Sequence, residues 1–123
     1  MGLDSYFRFD AGPGETAPIV TIEPPAELCG GVFSGAADSS SFRGKVYDEF
    51  VQETTGVSLY EDRTSSWTVL DMADAIAAWI EENPGKSVPH SDYDYEIKHA
   101  EIVDLERVFR AYGTKEYTLV SWY

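Results

Sequence analysis

Near the start of the chain, side chains alternate. Leu3, Ser5, Phe7 and Phe9 fall on one side and Asp4, Tyr6 and Arg8 on the other, the two-residue period of a strand with one better-buried face. The turn-forming stretch AGPGETAP follows. The β-branched run IVTI (19–22), closed by Pro24 and Pro25, then predicts a second strand, hairpin-paired with the first. Residues 26–41 break the pattern with Gly30, Gly31 and Gly35 and a run of small residues, and read as a long irregular loop of the functional or mobile kind.

The period then changes to that of helices. A first helix is expected after Ser40 or Ser41 as N-cap, running to Thr55 with Val46, Phe50 and Val51 inward and Gly56 as its stop. The clearest helix starts at Ser65 or Ser66, repeats Val69, Leu70, Ala73, Ile76, Ala77 and Ile80 on one side, and stops at Pro84 and Gly85. A third, over 94–112, lines up Ile102, Leu105, Val108, Phe109 and Tyr112 and ends at Gly113. The segment EYTLVSWY closes the pattern as an apolar strand. The order β-β-α-α-α-β predicts an α+β fold: a small, mainly antiparallel sheet of N- and C-terminal strands, about three helices packed on one face, and the last strand beside the first. At 123 residues, one domain spanning 1–123 is expected, large enough for a core without disulfides or structural metal.

Composition narrows the chemistry. The formal charge is −13, which argues against direct nucleic-acid binding and against an anionic membrane surface, since both need clustered Lys and Arg. No apolar run approaches the ~18 residues of a membrane span and the start lacks a signal-peptide pattern, so a cytoplasmic protein is expected. Tyr6 stands where a myristoylation pattern needs Ser or Thr. Cys29 is the only cysteine, which rules out an intramolecular disulfide and a cysteine metal cluster.

Several short patterns imitate known motifs and fail on inspection. GPGETA (12–17) has the spacing of a dinucleotide fingerprint, but Pro13 interrupts it and a helix does not follow. Gly30 and Gly35 have P-loop separation, yet Ala36 and Ala37 occupy the Lys and Ser/Thr positions. Ser34 lacks the flanking spacing of a nucleophile elbow. His90, Asp92, Asp94 and Glu96, two apart, would share one side of an extended segment and with His99 could hold a divalent ion. Ile97 and Val103 exclude an EF-hand there, and a Ser91–Asp94 capping box explains the same acids without a metal. Cys29 would become a nucleophile only beside His90 or His99; otherwise it is a small core residue. No cofactor is expected.

Two features survive. Ser39, Ser40, Ser41, Arg43 and Lys45 could surround a phosphate at the start of the first helix, where basic residues oppose the helix dipole. Between residues 46 and 85 nine acids face one base, a net of −8, whereas residues 97–115 carry a net of +1. Asp71, Asp74, Glu81 and Glu82 fall near one stripe of the second helix and could meet a basic protein.

By GLDSYF, LCGGVFSG, SFRGKVYDEF and GVSLYED, most of the chain resembles small proteins of phage and marine microbes to which no activity is attached. The resemblance implies a phage or marine bacterial origin and no residue roles. With no complete catalytic constellation, the expectation is a non-catalytic binding module, a phage accessory or counter-defence protein. Its alternative is a phosphate- or nucleotide-binding protein or enzyme using the Gly/Ser-rich stretch 30–45.

Overall fold

A computed structural model describes residues 4–9, 12–16, 18–34, 41–59, 63–64, 66–89 and 95–122. Strand β1 (Asp4–Arg8) behaves as its alternation predicts: Ser5 and Phe7 are buried and Arg8 is exposed. Two short strands follow, β2 (Ala26–Leu28) and β3 (Gly31–Phe33), then β4 (Ser41–Arg43), helix α1 (Gly44–Thr55) and strand β5 (Arg63–Thr64). Helix α2 (Ser66–Glu82), the two-residue strands β6 (Val88–Pro89) and β7 (Glu96–Ile97), helix α3 (His99–Thr114) and strand β8 (Thr118–Trp122) complete the order.

The main sheet runs β4-β1-β8-β5 with every pairing antiparallel. Strand β1 sits inside it, Phe7 opposite Leu119 of β8 and Ser5 opposite Phe42 of β4. The fold is the expected α+β, and the first and last strands are neighbours. The expected partner of β1 was wrong. Residues 19–22 form no strand; they are pinned at separate points, the Ile22 N–H donating to the Ser34 carbonyl at 3.3 Å and the Tyr117 hydroxyl to the Pro18 carbonyl at 2.7 Å. Arg107 holds the Pro24 carbonyl in the same way. The apolar alternation there records burial of Val20 and Ile22, with Ile19 left 78% exposed, and no ladder.

The stretch expected to be an irregular loop is structured on both sides of residues 35–40. Strands β2 and β3 form a hairpin whose end lies against β4: the Arg43 N–H donates to the Cys29 carbonyl at 2.6 Å. A Cβ on Gly31 would lie 2.0 Å from the Ser41 carbonyl oxygen, so only glycine permits that approach. Ser41 therefore belongs to β4 and is not the cap of α1; Arg43 occupies the cap position and makes no side-chain cap bond. Gly56 ends α1 at φ +80°, as expected. Helix α3 starts at His99, later than expected, because residues 96–97 pair with 88–89; the Ser91–Asp94 box lies outside the described residues. Nor does Gly113 stop α3. It lies within the helix, where a Cβ would meet Leu70 Cγ at 3.0 Å, so its bare backbone lets α2 and α3 close on each other.

The core is aromatic where sheet meets α3. Phe7 stacks on Tyr112 at 4.6 Å and 3°, and meets Phe109 edge-on at 5.6 Å. Phe33 and Phe42, both fully buried, pack against the same group. Each such side chain contributes about 1.5–3 kcal/mol by leaving water, and truncating one to alanine costs about 3–5 kcal/mol. Val69, Met72, Ala73 and Ile76 of α2 and Ile102, Leu105 and Val108 of α3 extend the core between the helices. Among the described residues no helix is long and apolar enough to cross a membrane.

Candidate functional site

Helices α1 and α2 converge on the β6 strand around an open groove of about 620 Å³. Phe50, Ala75, Trp79 and Val88 are among its apolar lining residues, with Phe50 and Trp79 edge-to-face at 5.1 Å and 86°. Glu53 from α1 and Glu82 from α2 also line it, both exposed. Among the described residues no Lys, Arg or His lines it. The apolar side chains follow from helix period: Ala75 and Trp79 are four apart and share one flank of α2.

All four acids expected on the α2 stripe are exposed. Asp71, Ala75, Ala78 and Glu82 succeed one another at spacings of four, three and four, so acid and alanine form one line beside the groove. Asp74 and Glu81 sit further round the helix. There Asp74 pairs with Arg110 of α3 at 2.9 Å. With side chains 68% and 43% exposed, that pair contributes little, at most about 1 kcal/mol. Asp48, from the same acidic segment, is occupied structurally: its carboxylate accepts from the Leu59 N–H at 2.6 Å and the Ser58 hydroxyl at 3.2 Å.

A second cluster escaped the sequence. Glu101, in the first turn of α3, accepts two phenol hydrogen bonds on one oxygen, from Tyr47 at 2.7 Å and from Tyr95 at 2.6 Å. Tyr47 is fully buried, and its oxygen also accepts the Cys29 N–H at 2.7 Å. Burial pushes the Tyr47 phenol well above its ordinary range, aided by the Glu101 carboxylate and opposed by the Cys29 amide. The Tyr95 phenol is raised too, first by burial and then by Glu101. The cluster borders an open pocket of about 330 Å³ that includes Cys29 and Val32. It ties α1, α3 and the β2–β3 hairpin together with two neutral phenols and one carboxylate, an arrangement that fixes geometry. Tyr47 and Glu101 are 54 residues apart, so no local pattern could have paired them.

The phosphate candidates are only partly placed. Ser39 and Ser40 lie outside the described residues, Ser41 and Arg43 belong to β4, and Lys45 is half-buried in the first turn of α1. Of the candidate metal ligands, His90, Asp92 and Asp94 lie outside the described residues and Glu96 is exposed in β7. Among the described residues no group of three or more His, Cys, Asp or Glu could hold an ion. Cys29 is half-buried, and His99 is engaged elsewhere, its Nδ1 at 3.1 Å from the Lys86 carbonyl. A carbonyl only accepts, so that nitrogen carries the hydrogen. Comparison with protein-family models, curated proteins and solved structures gives no match to this chain.

Proposed function

We propose that this protein is a non-catalytic interaction module whose acidic α1–α2 surface receives a basic protein. The observation that carries the reading is a groove lined by Glu53 of α1 and Glu82 of α2 with, among the described residues, no basic residue in its lining, Glu82 sharing the exposed line of α2 with Asp71. Opposed charge steers encounter and fixes orientation more than it adds affinity. On the likeness to phage proteins, the partner is a host protein and the role is host takeover or counter-defence.

The test is charge reversal with a matched control. Asp71→Lys, Glu81→Lys and Glu82→Lys together are compared with Glu27→Lys, Glu96→Lys and Glu116→Lys, which change net charge equally elsewhere. Binding of polylysine, followed by calorimetry at low and near-physiological salt, should weaken far more in the first triple variant. Equal weakening in both would reduce the effect to net charge and remove the reading.

A second reading, phosphate or nucleotide binding, is favoured by one observation: α1 begins without a side-chain cap, between Arg43 and Lys45. Phosphate at about a hundred times its dissociation constant would then stabilise the fold by about 2.7 kcal/mol, and Arg43→Ala would abolish that gain. Unchanged melting at millimolar phosphate would discard it.

A further inference from the structure

Resting on the acidic-surface reading, we infer that the groove between α1, α2 and β6 takes a segment of the partner that sets an apolar side chain beside a lysine or arginine. Two properties of the lining demand both halves of that segment. The lining offers Ala75, Trp79 and Val88, each only partly buried, alongside the buried Phe50; a purely charged segment would leave that surface wet. Glu53 and Glu82, from different helices and both exposed, also line it, and a purely apolar segment would strip water from them with nothing in return, which is unfavourable.

A cationic side chain laid along Trp79 satisfies both demands. Indole is the strongest of the aromatic partners for an ammonium or guanidinium, and the two carboxylates of the same lining balance its charge. The apolar neighbour covers the rest of the apolar lining. At about 620 Å³ the groove falls within the ~300–1,000 Å³ of ordinary ligand pockets, which suits a few side chains of an extended segment. A second copy of this chain is a poor occupant. With 22 acids against 9 bases, two acidic surfaces would repel.

Three synthetic peptides of equal length separate the possibilities: alternating Leu and Lys, alternating Ser and Lys, and alternating Leu and Glu. Calorimetry gives the affinities, and amide and indole NMR shifts locate the contact. The Leu/Lys peptide should bind about tenfold or more tighter than Ser/Lys, the effect of partly burying one leucine, and Leu/Glu should not bind. Trp79→Ala should remove the advantage of Leu/Lys over Ser/Lys. Because Trp79 also packs on Phe50, Ala78→Lys, at an exposed position beside the groove, serves as a second block that leaves the core untouched.

Equal affinity for Leu/Lys and Ser/Lys, unaltered by either variant, would overturn the inference while leaving the acidic-surface reading intact. Binding of Leu/Glu as tightly as Leu/Lys would overturn it as well. Failure of both lysine peptides to bind at low salt would take the underlying reading down with it.

Discussion

Replacing Tyr47 by Phe removes one oxygen and leaves the ring in place. That oxygen has two partners, accepting the Cys29 N–H and donating to Glu101, each at 2.7 Å. A hydrogen bond to a charged group is worth about 1.5–3 kcal/mol, and a buried donor left without a partner costs about 1–3 kcal/mol. Cys29 is only half-buried, so water can recover part of the second loss. The expected destabilisation is about 2–4 kcal/mol. Tyr95→Phe breaks one bond to the same carboxylate oxygen from a half-exposed site, for about 0.5–1.5 kcal/mol. Urea unfolding should show the Tyr47→Phe midpoint well below that of Tyr95→Phe, with slopes unchanged. For a chain of this size the melting temperature should fall by about 3–5 °C per kcal/mol. Should Tyr95→Phe prove as damaging as Tyr47→Phe, the buried phenol would not be the joint between α1, α3 and the hairpin.

Three further outcomes follow from the same structure. A phenol raised in the folded state stays protonated while the unfolded chain loses its proton, so stability from Tyr47 is fully present below pH ~10 and declines above it by about 1.4 kcal/mol per pH unit; alkaline unfolding curves should lose this slope in Tyr47→Phe. Gly31→Ala should destabilise by about 3 kcal/mol or more, because its Cβ would meet backbone at 2.0 Å, and a midpoint within error of wild type would contradict the close approach of hairpin and β4. Gly113→Ala should destabilise by about 1–2 kcal/mol in the same assay, because its Cβ would press on both the side chain of Leu70 at 3.0 Å and its backbone N at 3.2 Å, and a midpoint at or above wild type would contradict the close approach of α2 and α3.

What could be read from the sequence was whatever repeats locally. The alternation around Phe7 and the three-and-four spacing of Val69, Ala73 and Ile76 each follow from one element burying one face. The acidic line of α2 was legible for the same reason, since Asp71 and Glu82 share a helix. Three-residue strands such as β2 and β3 are too short to show a period, and their glycines imitate a loop. Residues 19–22 show the converse error: Val20 and Ile22 alternate because they are buried, while the Ile22 N–H is tied to the Ser34 carbonyl and the segment joins no ladder. The start of α3 was misjudged because capping residues at 91 and 94 look the same whether or not a helix follows at once. The groove and the Tyr47–Glu101–Tyr95 cluster join residues from separate elements, and only folding brings them together.

The pairing of β1 with β8 sets the order in which this molecule can be made. Phe7 leaves the ribosome long before its partner across the ladder, Leu119, which is translated more than a hundred residues later. Until then the inner strand of the sheet has one side open, and its buried face must wait for α3 as well. Pairings this distant in sequence slow folding, and a waiting apolar strand is open to the wrong partner. Slower synthesis cannot help β1 find its place early, so aggregation during expression should depend on whatever shields residues 4–8 in the interval.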